Sequence, residues 1–95
     1  MSFWVYMLKC KDNSYYVGHT DNLDIRIGKH QTGEIPGYTV NRRPVNLVYS
    51  QEFPTRIEAL TAKRQIKGWN RKKKEALIQG DWNEITRLSN LKRNA

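Results

Sequence analysis

The sequence predicts an α+β fold in which a three-stranded, at least partly antiparallel sheet is flanked by helices, in the order β-β-α-β-α-α-α. Three observations carry this. Residues 3–9, 15–19 and 45–53 are rich in β-branched and aromatic residues and are bounded by turn clusters. Elsewhere, apolar residues recur at three- and four-residue intervals behind capping side chains. The first two strands are separated by one short turn, which joins antiparallel neighbours, and helices covering such a sheet are the simplest way to bury its faces.

Residues 3–9 (Phe-Trp-Val-Tyr-Met-Leu-Lys) are apolar on nearly every alternating position, as in a strand covered on both faces. Lys11-Asp12-Asn13-Ser14 is a turn, and residues 15–19 return as the second arm of a hairpin. Tyr16 and Gly18 share one face of that arm; Tyr15, Val17 and His19 take the other. Thr20 or Asp21 caps a helix that runs to about residue 31. Leu23 and Ile27 form its buried stripe, while Arg26 and His30, one turn apart, lie together on a neighbouring face. Gly28 weakens this helix by about 1 kcal/mol relative to alanine, either because something approaches the backbone or as a tolerated glycine. Gly33 ends it.

Residues 34–43 are a loop, and residues 45–53 are the third strand, stopped by Pro54. Thr55-Arg56-Ile57-Glu58 is a capping-box signature opening a helix with Ile57, Leu60, Ala62, Ile66 and Trp69. Asn70 caps a helix over residues 71–79, and Gly80 stops it. Asp81-Trp82-Asn83-Glu84 opens a last helix to about residue 91, and residues 92–95 are expected to fray.

Ninety-five residues make one domain with a modest core. The single cysteine, Cys10, excludes an intramolecular disulfide and cysteine-pair zinc sites. It reads as a small apolar residue at a strand end, in a chain suited to the reducing cytoplasm. Residues 1–8 are apolar but too short for a signal-peptide core or a membrane span, and no later stretch approaches a span. A net charge of +8 and a pI near 9.9 favour polyanionic partners, nucleic acid first.

Two groups of residues carry chemistry. Tyr6, Tyr16, Arg26 and His30 combine phenol, guanidinium and imidazole, a set suited to an anionic phosphate ester. Lys63, Lys67, Arg71, Lys72, Lys73 and Lys74, with Arg64 beside them and Arg42 and Arg43 as additions, form a basic run that suits a phosphate backbone without base specificity. A solvated helix face with Trp69 in the core is the other reading of that run.

Val5-Tyr6-Met7, Tyr16-Val17-Gly18, Arg26 and His30, in this order and spacing, resemble the GIY-YIG endonuclease superfamily. Trp4 and Val5 stand where the first motif has glycine and isoleucine. Tyr38-Thr39, Arg42-Arg43-Pro44, Leu47-Val48-Tyr49, Ile66-Lys67, Trp69 and Leu77-Ile78 resemble its short stand-alone bacterial members. The resemblance implies a GIY-YIG-like domain over residues 1–80, with 81–95 as the C-terminal helix and tail of the same domain. It implies a fully antiparallel sheet and phosphodiester hydrolysis with Mg2+ or Mn2+. Tyr6 would be the base or its water-orienting partner, assisted by Tyr16; Arg26 would hold the scissile phosphate and His30 would complete the pocket.

The chain departs from that pattern where the family has a metal-binding glutamate. Lys63 stands there, and an ammonium ligates no metal. Glu58, about 140° away round the helix, reads as the partner of Thr55, and Glu52 is the other substitute; no metal ligand is assigned. Two functions follow: an endonuclease-like protein acting on nucleic acid, DNA before RNA, or a catalytically inactive nucleic-acid-binding module with the same fold.

Overall fold

The computed structural model describes residues 2–93, with side chains as far as Ser89. Its elements are β1 (Phe3–Lys9), β2 (Tyr15–Thr20), α1 (Leu23–Thr32), β3 (Asn46–Phe53), α2 (Arg56–Lys67), α3 (Arg71–Gln79) and α4 (Trp82–Arg93). The strands form one sheet in the order β2-β1-β3, with both pairings antiparallel. The predicted order and sheet are those observed. The expectation of fraying concerns residues 92–95; α4 continues to Arg93, and residues 94–95 lie outside the described residues.

β1 is the central strand, and the pleat sends its alternate side chains into two separate cores. Val5 and Met7 point to one face, where they join Val17, Ala59 and Ile66 of α2, Ala76 and Leu77 of α3, and Ile85 of α4. Trp69 is half-buried against this core. Tyr6 and Leu8 point to the other face, where Cys10, Val45, Tyr16 and the α1 stripe of Leu23 and Ile27 cover them. A tyrosine thus occupies a core position of the smaller core, where its hydroxyl requires a partner.

The helix ends follow local chemistry, with one correction. α1 is capped by Asn22, whose side chain accepts from the Ile25 N–H, and not by Thr20 or Asp21. Thr20 is the last residue of β2, and its buried hydroxyl closes a small turn by bonding the backbone of Asn22 on both sides. Gly33 terminates α1 at φ 78°, in the left-handed region that favours glycine. Thr55 caps α2 by accepting from the Glu58 N–H, and Asn70 and Asp81 cap α3 and α4 likewise. Gly28 has open space around it, so no close approach of backbone explains it.

Because β2 pairs with β1 alone, its outer edge is open. α2 packs on β1 and β2 from one face, α1 covers Tyr6 and Tyr16 on the other, and the candidate site lies on the α1 face.

Candidate active site

The site is built on Tyr6. Its ring is 1% exposed, and its hydroxyl lies 2.8 Å from Nε2 of His30. His30, also 1% exposed, is fixed at its other nitrogen by Thr39, with Nδ1 to Oγ1 at 2.7 Å. A neutral imidazole satisfies both bonds. With the proton on Nδ1, donated to Thr39, the Nε2 lone pair accepts the Tyr6 O–H. Thr39, 2% exposed, belongs to the loop after α1 and was not assigned a role from sequence. The Tyr38-Thr39 dipeptide was the only sign of it.

Tyr16 completes an aromatic cluster. Its ring centroid is 6.3 Å from that of Tyr6 and 5.2 Å from that of His30. Tyr38 stacks on Tyr16 at 6.1 Å and an interplanar angle of 24°. Tyr6, Tyr16 and His30 therefore converge as the sequence spacing suggests, and Arg26 is near enough for its charge to act on both Tyr6 and His30.

The electrostatics follow from burial and from that guanidinium. Burial raises the Tyr6 phenol well above its ordinary range; the Tyr16 hydroxyl adds to the rise and Arg26 opposes it. Burial, then the Arg26 charge, holds the His30 imidazole below its ordinary 6.5. At neutral pH the core of the site is a neutral phenol bonded to a neutral imidazole, under a fixed positive charge.

The tight seat of Tyr6 has a specific cause. Gly18 is its ladder partner on β2, and a Cβ at Gly18 would lie 2.5 Å from Tyr6 Cζ and 3.0 Å from Cε1. The phenol takes the space that a side chain at position 18 would need.

A model of the GIY-YIG catalytic domain matches residues 2–76. The chain belongs to the GIY-YIG family. Its relatives are UPF0213 proteins, a short stand-alone bacterial GIY-YIG branch. The UPF0213 protein BH0048 of Halalkalibacterium halodurans is 40% identical over 92 residues, covering 94% of this chain and 98% of the relative. The UPF0213 protein YazA of Bacillus subtilis is 45% identical over 74 residues, covering 78% of this chain and 75% of YazA. The solution NMR structure of BH0048 matches with a TM-score of 0.56 at 40% identity, over 94% of this chain and 98% of that one. That of the protein EF2693 from E. faecalis matches with a TM-score of 0.60 at 35% identity, over 84% and 85%. In GIY-YIG terms, the tyrosine of the first motif lies across the glycine of the second.

The basic residues divide by their surroundings. Arg42 donates to Asp12 at 3.1 Å and to the Tyr38 carbonyl at 2.7 Å, with its guanidinium 3.9 Å from the Tyr38 ring centroid. Arg43 donates to the Val40 carbonyl at 2.9 Å and lies against Gly33. Arg71 reaches the Asn13 carbonyl, Glu75 and the Tyr15 ring. Lys73 covers Trp69 at 4.3 Å. These four have partners within the chain, and Lys72 is exposed on α3. Lys63 instead sits where its charge reaches His19 on the far face of β2. Burial, then Lys63, Arg56, Arg26 and Arg64, hold His19 below 6.5. Lys67 and Lys74 line one cleft with Tyr16.

These donors do not suit a divalent ion. No group of three or more His, Cys, Asp or Glu able to hold a metal occurs among the described residues. Apart from Tyr16, the groups whose charge acts on Tyr6, His30 and His19 are all cations. Glu52 lies on β3, the strand farthest from β2, and Glu58 is exposed at the start of α2. Asp21 shares a cleft with Arg26, but Lys29 shares it too.

Proposed function

We propose that this chain acts on the phosphodiester backbone of nucleic acid, DNA before RNA, as a GIY-YIG-type endonuclease. The observation that carries the reading is the Tyr6–His30 hydrogen bond beside Arg26. Arg26 holds the phosphate, and its charge stabilises the negative charge that builds on the phosphoryl oxygens during attack. Tyr6 takes the proton of the attacking water as it passes its own to Nε2 of His30. The phenol is a relay and need not stand ionised, which suits a group whose burial disfavours the phenolate. Thr39 fixes the ring through Nδ1, and with the proton on that nitrogen Nε2 is the acceptor. The new P–O bond forms from water, the ester P–O bond breaks, and the leaving oxygen takes a proton from solvent.

A second reading has its own support. The resemblance to the family puts Lys63 where a metal-binding glutamate is expected, and Lys63 stands in a cluster of cations around His19. There it supplies positive charge without ligating Mg2+ or Mn2+, so the chain would bind the backbone and leave it intact.

Nicking of supercoiled plasmid, with and without Mg2+ or Mn2+, separates the two. On the first reading the parent nicks and both Tyr6→Phe and Arg26→Ala lose at least tenfold. A silent parent, with metal-dependent nicking gained in Lys63→Glu, supports the binding module. Absence of both nicking and DNA binding in the parent overturns both.

A further inference from the structure

A second set of charges lies beside the tyrosine–histidine site. Lys67 ends α2 and Lys74 lies in the middle of α3. The turn between the helices brings both side chains to one cleft of about 250 Å³, whose walls are Tyr15, Tyr16, Val17 and Tyr38. Neither lysine belongs to an ion pair among the described residues, where the pairs are Arg42–Asp12, Arg71–Glu75 and Arg87–Glu84. Glu75, next to Lys74 in sequence, is taken by Arg71 at 3.3 Å and by the Tyr15 hydroxyl at 3.2 Å.

Two lysines, Lys67 exposed and Lys74 half-buried, thus line one partly enclosed cleft whose lining includes no carboxylate. Burial, and then the charge of Lys67, lower the Lys74 pKa. Like charges held together repel unless an anion joins them. The cleft is well above the volume share of one water, about 30 Å³, so a tetrahedral anion fits. Tyr16 belongs to both the site and the cleft: its ring lies beside those of Tyr6 and His30, and it lines the cleft with the lysines.

We propose that the Lys67–Lys74 cleft is a phosphate subsite, holding a phosphate of the substrate strand that neighbours the one at Tyr6 and Arg26. This rests on the nucleic-acid reading above and adds the direction of the strand, along the open edge of β2 from Arg26 past Tyr16 to the lysines. Two anchored phosphates fix the register of the backbone over Tyr6; one alone lets it rotate.

The test titrates the 15N-labelled chain with inorganic phosphate, and separately with short oligothymidylates bearing a 5′-phosphate or a 5′-hydroxyl. Inorganic phosphate is expected to shift the resonances of Lys67, Lys74, Tyr16 and Tyr38 saturably, and Lys67→Gln or Lys74→Gln to abolish this. With the oligonucleotides, each variant is expected to bind three- to tenfold more weakly. Its dependence of log K on log salt should be shallower by about 0.7, the loss of one single-strand phosphate contact. Arg87→Gln, an equal charge change at a guanidinium held by Glu84, is the control and should keep the parent slope. Tighter binding of the 5′-phosphorylated strand, lost in the variants, supports a terminal phosphate; equal binding of the two strands, weakened in the variants, supports an internal diester. Unmoved resonances with phosphate, or variants with the parent slope, overturn the subsite. Failure of the parent to bind any oligonucleotide overturns the nucleic-acid reading instead, and the phosphate titration then decides the cleft alone.

Discussion

Gly18 faces Tyr6 across the β1–β2 ladder, and the phenol lies against its backbone with no room for a methyl group between them. The glycine is there for space, since it carries no positive φ. The absence of a side chain at position 18 of β2 therefore leaves the space in which the Tyr6 hydroxyl of β1 sits.

Gly18→Ala is expected to displace the Tyr6 ring and to destabilise the fold by about 1–3 kcal/mol, the usual range for overpacking a filled core. Urea unfolding measures the loss and Tyr6 ring resonances report the displacement. Unchanged stability with an unmoved ring would contradict the packing described.

Thr39→Val keeps the shape of the loop residue but leaves Nδ1 of His30 unpartnered in a buried position. The expected loss is about 1–3 kcal/mol, together with loss of any nicking activity through release of the imidazole. Tyr6→Phe removes the partner of Nε2, with a stability cost in the same range. Equilibrium unfolding of the two single variants and the double variant checks this. Losses that simply add would show that the three groups do not act as one network.

The pH dependence of stability has a definite sign. Both histidines are held below the ordinary imidazole value of 6.5 in the folded chain. As pH falls through 6.5, the unfolded chain takes up protons that the folded chain refuses, so stability declines. It is complete above 6.5 and levels off only below the lowered folded values. Urea midpoints between about pH 7.5 and 5 should fall accordingly, and His30→Gln should flatten that slope in part.

Arg43→Ala is expected to loosen the loop between α1 and β3 and leave the salt dependence of oligonucleotide binding unchanged, because its guanidinium is engaged by Val40 and packed on Gly33. Amide exchange of residues 33–44 reads the first effect and fluorescence titration the second. A shallower salt slope in this variant would place Arg43 on the nucleic acid.

Much of the fold was legible because its signals are local. Strand alternation, Gly33, Thr55, Asn70 and Asp81 each act within four residues of themselves. The α1 cap was ambiguous for the same reason: Thr20, Asp21 and Asn22 are all able to cap, and the choice fell to Asn22 because Thr20 is drawn into the buried end of β2. In the site, Arg26 and His30 were paired by one helical turn. Thr39 was not, since a loop has no period from which to read a facing direction. Nor does a count of cations tell a guanidinium engaged by a carboxylate and a carbonyl from an ammonium in no ion pair; Arg42 and Lys67 look alike in one dimension.

The amino-acid order alone determined the elements, their succession and the residue types offered for phosphate chemistry, because backbone conformation and side-chain period are near-neighbour properties. Tertiary structure alone decided that Tyr6 lies on Gly18, that Thr39 bonds His30, and that Lys67 and Lys74 line one cleft with Tyr16. Each of these joins residues from different elements, and only the packing of two helical layers on one pleated sheet sets those distances.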